Sequence, residues 1–191
     1  MTSLRLLLLA APLAVLSLAA CSDDDSFSAS PDHRLAFSAD TVSLDTTFSR
    51  VPTTTRTFWV YNRSGDGLRC TSVRLRKGNQ TGFRVNVDGM YLGQASGYQV
   101  GGVELRKNDS LRVFVELTSA DTHSDVPELL EDDLVFTLES GVEQKVNLRA
   151  WSWDATLLNG LKISRETLIQ STKPIVVKGN IEVDSAATLT I

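Results

Sequence analysis

Asn108-Asp109-Ser110-Leu111-Arg112-Val113-Phe114-Val115-Glu116-Leu117-Thr118-Ser119 alternates in steps of two: Leu111, Val113, Val115 and Leu117 fall on one side, and Arg112, Phe114 and Glu116 on the other. Successive side chains of an extended chain point to opposite faces, so the pattern predicts a β-strand with one face on a core. Working upstream, Phe83, Val85 and Val87 keep the same step, and Val73-Arg74-Leu75-Arg76 directs its arginines outward. "RTFWVYN" places Phe58 and Val60 on one face and Trp59 and Tyr61 on the other, which predicts a strand covered on both sides. Asn62-Arg63-Ser64-Gly65-Asp66-Gly67 then forms a dense turn signal, because Gly and Asn accept positive φ. "LAFSADTVSLDT" supplies two short strand pieces at the front. Downstream, "DDLVFTLESG" and "EQKVNLRAW", joined by Ser140-Gly141, carry the apolar sets Leu134, Phe136, Leu138 and Val146, Leu148, Ala150. Strand signals recurring at roughly 8–12-residue spacing with no amphipathic helix between them predict an all-β fold, an antiparallel β-sandwich.

Composition narrows the chemistry. The net charge is −4 without a basic block, so phosphate-backbone binding has no electrostatic basis and no nucleic-acid partner is expected. Of the two cysteines, Cys21 lies near the N-terminus, and Cys70, within "GLRCTSV", is left to behave as a small buried hydrophobe without a disulfide. Glycine-rich phosphate loops, HExxH and CxxC are absent, and His33 and His123 are the only histidines, so no metal site, cofactor or catalytic residue is assigned. "SADTHSDVPELLEDD" gathers Asp121, Asp125, Glu128, Glu131, Asp132 and Asp133 but lacks the alternation and glycine of a calcium loop, and predicts a solvated connection. Trp59, Trp151 and Trp153 admit two readings, a sugar-stacking platform or ordinary packing.

At the N-terminus Arg5 precedes an apolar run, Leu6–Leu16, with Ala19 and Ala20 before Cys21, the order of a secretory signal over residues 1–20. Leu18-Ala19-Ala20-Cys21 resembles the lipobox of bacterial lipoproteins. The resemblance implies that the Cys21 thiol carries a diacylglyceryl group and that, after cleavage, its new amine is acylated, so the bilayer is a partner through Cys21. Each buried methylene adds about 0.8 kcal/mol, and two or three chains give stable anchoring. Ser22-Asp23-Asp24-Asp25 is similar to the acidic export signal of lipoproteins of the Bacteroides group, which implies an outer-membrane lipid anchor and display at the cell surface. The alternative is a hydrated spacer on the periplasmic face. Residues 21–34 are polar and predict a lipidated acidic tether.

Residues 35–153, with "DSLRVFVELT" and "KVNLRAW" as their motifs, resemble the immunoglobulin-like domains of the Hydin type. Residues 154–191 change texture: Ile175/Val177, Ile181/Val183 and Leu189/Ile191 are apolar pairs separated by Gly or small polar residues. "KPIVVKGNIEVDSAATLTI" is similar to the opening coil of a right-handed parallel β-helix, as follows an immunoglobulin-like domain in long lipoproteins of the same group, so the region is expected to be a linker and first rung of a β-solenoid that continues beyond Ile191. The other reading is a terminal strand pair closing the sandwich edge. Thr41, Thr46, Ser110 and Ser185 follow aspartates in triplets resembling the O-glycosylation acceptor of the same group. The expected function is a non-catalytic stalk, adhesion or binding module, with a glycan or a cell-surface protein as partner. The alternative is the N-terminal part of a β-helix protein that binds or degrades polysaccharide.

Overall fold

The computed structural model describes residues 26–191, which hold β1 (Leu35–Phe37), β2 (Thr41–Phe48), β3 (Arg56–Asn62), β4 (Leu68–Leu75), β5 (Phe83–Val87), β6 (Met90–Tyr91), β7 (Gln99–Val100), β8 (Val103–Leu105) and β9 (Ser110–Leu117). These are followed by β10 (Glu128–Leu138), β11 (Glu143–Trp153), β12 (Thr156–Ile163), β13 (Thr167–Leu168), β14 (Ile175–Val183) and β15 (Leu189–Thr190). β9 lies at the middle of one sheet, ordered β1-β3-β9-β5-β6, and the second sheet runs β2-β11-β10-β4-β7, with β8 also on β4. The first strand region crosses between sheets: β1 pairs antiparallel with β3, and β2 pairs in parallel with β11. With β1, β3, β9 and β5 on one side and β4, β10 and β11 on the other, this is the immunoglobulin arrangement of strands. The chain therefore forms an immunoglobulin-like β-sandwich.

The alternating apolar sets meet between the sheets. Leu111, Val113, Val115 and Leu117 of β9 pack with Phe58, Phe83, Phe136 and Leu148 in one buried cluster. Cys70 is fully buried in it, and burial pushes its thiol up to about 12.

Four expectations are corrected by the packing. β3 is covered on one face only: Phe58 and Val60 are buried, whereas Trp59 is 39% exposed, because none of the described residues packs outside this sheet. No residue from 62 to 67 has positive φ; the turn is held by Asn62, whose buried side-chain amide donates to the carbonyls of Asp66, Leu105 and Arg106. The acidic stretch is a connection only from 119 to 127, since β10 begins at Glu128 and its first residues pair with β11 out to Ser152. Finally, the described part of the 21–34 tether, from Ser26, is docked on the sandwich rather than free, as its contacts with Gly67 show below.

Beyond Trp153 pairing becomes parallel. Thr156 faces Ile175 and Ile163 faces Val183 in the β12/β14 pair, and Thr167 faces Leu189 in β13/β15, so the chain returns alongside itself after 19 to 22 residues. β12, not anticipated as a strand, is separated from β11 by only two residues, Asp154 and Ala155. The register slips between Asn159 and Leu161, where Gly160 (φ +52°) lies against Gly179 (φ +88°). A Cβ on Gly179 would lie 3.8 Å from the Gly160 Cα, so space permits a side chain there but the backbone conformation penalises one.

Candidate functional site

Two ends of the sandwich carry its connections, and the strand registers place them. Leu35 pairs with Asn62 at the end where β3 turns into β4, and the segment before it docks at the same end. There Gly67 N–H donates to the Ser26 carbonyl (3.1 Å), Ser28 N–H donates to the Gly67 carbonyl (2.9 Å), and the Arg69 guanidinium lies 4.3 Å from the Phe27 ring centroid. Gly67 suits this close approach, because a Cβ would meet Phe27 and the Ser26 carbonyl at 3.0 Å and force one of them to shift. The lipidation residue Cys21 and the export residues Ser22, Asp23, Asp24 and Asp25 lie outside the described residues.

β11 runs away from that end, parallel to β2, and Trp153 pairs with Phe48 at the opposite one. Here Asp154, 4% exposed, accepts from the N–H groups of Thr122 (2.9 Å) and His123 (2.8 Å), and its carboxylate lies 3.5 Å from the Lys173 ammonium. Burial by itself raises the Asp154 pKa, but the two N–H donors and Lys173 outweigh it and leave the carboxyl below the ordinary value. Lys173 also approaches Asp125 at 3.8 Å, and Arg50 donates to the Ala155 carbonyl and pairs with Asp121. The sandwich and the parallel strands are thus joined by a charged clamp, where the sequence suggests a linker.

The sequence's reactive groups do not converge. His33 lies 3.9 Å from Asp66 at one end and His123 binds Asp154 through its backbone at the other, with Cys70 inside the core between the sheets. Asp132 is buried, accepting from the N–H groups of Lys77 and Asp133, while Asp133 binds Lys145 and Arg76. Burial raises the Asp133 pKa, but Lys145, Asn147 and Arg76 overcome this and lower it. Among the described residues no three His, Cys, Asp or Glu side chains cluster to hold a metal. Thr41, Thr46, Ser110 and Ser185 are all exposed, Thr46 beside Trp151 across the β2/β11 pair.

The three tryptophans do not form one platform. Trp59 is on the outer face of the β3 sheet, whereas Trp151 and Trp153 are on the other sheet, Trp151 49% exposed and paired across to Leu129. Sequence spacing could join the last two but not exclude the first, because sheet membership depends on long-range pairing. It also left unrecognised Trp59's true neighbours, Arg112 and Phe114, which alternation places outward on β9.

No protein-family model matches the chain, and no curated protein does. Among solved structures it is similar to a protein of unknown function from Porphyromonas gingivalis W83 (TM-score 0.45, 9% identity, 68% of this chain and 51% of that one). It is also similar to the E. coli chaperone DraB (0.39, 13%, 63% and 56%) and to the ASH/PapD-like domain of human CEP192 (0.38, 8%, 70% and 94%). The chain spans about half the length of the first and second of these. Likeness at this level carries no functional argument, and the fold assignment rests on the strand order above.

Proposed function

We propose that the protein is a non-catalytic surface lipoprotein in which the sandwich is a stalk that holds the parallel strands, or a binding face, away from the membrane anchored through Cys21. The observation that supports this is the placement of the two connections at opposite ends: the segment following the anchor enters beside Gly67, and the chain leaves at Trp153, after β11 has run the sandwich's length. At roughly 3.3 Å per residue, the 11 residues of β11 span about 33 Å. The non-catalytic reading is supported by the placement of His33 and His123 at opposite ends, beside Asp66 and Asp154, and by the burial of the Cys70 thiol, since a nucleophile needs a base within hydrogen-bond reach.

Metabolic labelling with palmitate and protease treatment of intact cells test the proposal together. Label is expected in the wild type and lost in Cys21→Ala, and the wild type is expected to be cleaved on intact cells. An unlabelled product secreted equally from both forms overturns it.

A second reading is favoured by the 19–22-residue return of the parallel strands: they form the opening of a β-solenoid of a polysaccharide-binding or polysaccharide-degrading protein. Polysaccharide cleavage by the purified chain would select that reading over the stalk.

A further inference from the structure

The outer face of the β3-β9-β5-β6 sheet carries an aromatic row that the core does not use. Phe114 pairs across with Asn86 and Asn86 with Tyr91, while Trp59 pairs with Arg112, two residues from Phe114 on β9, so the aromatics form a diagonal that crosses four strands. Neighbouring strands lie roughly 4.8 Å apart, which makes the row about 14 Å long. Trp59, Phe114 and Tyr91 are 39, 37 and 54% exposed, and the Tyr91 ring lies against Gly93, where a Cβ would meet it at 3.0 Å. Large apolar side chains arranged this way on a water-facing sheet mark an interaction surface more than scattered exposure does.

Arg112 identifies the ligand's charge. Its guanidinium is 5.3 Å from the Trp59 ring centroid and 5.4 Å from that of Phe114, a position fixed by both rings. On the same face Arg84 is neutralised by Glu116 at 3.1 Å, whereas Arg112 has only the Thr57 hydroxyl, at 3.5 Å, and no carboxylate among the described residues. The row is therefore cationic at its centre, in a chain whose net charge is −4. Between Phe114 and Tyr91 a hollow of about 240 Å³ is lined by Arg84, Asn86 and Glu116, groups that donate and accept hydrogen bonds.

A strand-adding peptide would pair along the edge at β6 and not over this face, since the main-chain groups of β3, β9 and β5 are used in their ladders. What remains is ring faces, side-chain hydrogen bonds and one unneutralised cation. We propose that this face binds an acidic oligosaccharide, with uronic-acid rings lying on Trp59, Phe114 and Tyr91 and a carboxylate paired with Arg112. This deepens the binding-module reading but rests on the sheet face alone, so loss of lipid labelling leaves it standing, and failure of sugar binding leaves the anchored stalk standing.

The full-length chain in mild detergent is titrated by calorimetry and tryptophan emission with hexasaccharides of galacturonate, of mannuronate and of alternating glucuronate, each beside its carboxyl-reduced form. At least one acidic member is expected to bind and change the emission, and Trp59→Phe to abolish that change. Arg112→Gln is expected to weaken acidic binding about tenfold or more and remove its preference over the reduced form, and binding is expected to weaken as salt rises. Both side chains are exposed, and matched melting curves confirm that the variants fold. No binding by any acidic member at millimolar concentration overturns the proposal. So does equal binding of the reduced forms, or self-association of the chain that Trp59→Ala abolishes, since the face would then be covered by a second copy.

Discussion

At the scale of single residues, the sandwich depends on polar groups that burial leaves no freedom to be unpaired. Asn62 is 1% exposed, donates to three carbonyls and accepts from Ser64 through Oδ1. Buried polar groups stripped of a partner cost about 1–3 kcal/mol, so Asn62→Ala is expected to destabilise by about 2–3 kcal/mol in urea unfolding. Asn62→Asp is expected to be worse, since it keeps the acceptor but turns a carboxylate toward three carbonyls. Asp154 gives a pH signature instead. Its pKa is lower folded than unfolded, so it stabilises above the unfolded value near about 4, and the contribution disappears as pH falls through the folded value. Asp154→Asn should therefore be less stable than wild type near neutral pH, with the gap closing below about pH 4, as read from urea midpoints by tryptophan emission. Neither role is legible in the sequence: Asn62 reads as a turn residue and Asp154 as the start of a linker, because the partners that bury them, Leu105 and Arg106 for the one and Thr122 and His123 for the other, are 31 to 44 residues away.

At the scale of elements, legibility followed alternation. β3, β5 and β9 are readable almost to the residue in extent, and β5 and β9 also in orientation, because one apolar face and a period of two specify both. The start of β10 was hidden because Glu128, Glu131 and Asp133 suit a solvated loop, while backbone pairing with β11 overrode that preference. Whether the outer face of β3 is covered was not a local property, and its aromatic content alone suggested the wrong answer. β12 and β14 were difficult for another reason: they lack a strong alternating face and gain order from parallel pairing with one another. Gly179, at φ +88°, is where the longer return is accommodated, and a β-branched residue there is strained whatever the space. Gly179→Val is expected to raise hydrogen exchange throughout β12 and β14 and leave β9, β10 and β11 as protected as in wild type. Equal loss of protection in both regions would mean that the sandwich and the parallel strands unfold as one unit.

At the scale of the whole molecule, separation of the two connections is a geometric consequence of one sheet switch. Because β1 lies on β3 and β2 continues onto β11, the first strand region is carried the length of the sandwich and the last strand runs beside it in the same direction. Entry and exit then cannot share an end, which distinguishes a spacer from a domain inserted by adjacent termini. The distance is measurable with spin labels at Arg63→Cys, beside the entry, and Asp125→Cys, beside the Lys173 clamp, in a Cys21→Ser background. Native Cys70 is not expected to react, since the thiolate is the nucleophile and burial holds this thiol at about 12. A single distance of roughly 33 Å, broadened by the label arms, is expected from the length of β11. A distance near half that would mean the chain doubles back and would remove the geometric basis for a stalk. A second population would instead show the 122–125 loop leaving Asp154, which accepts its N–H groups, and Asp154→Asn should enlarge it.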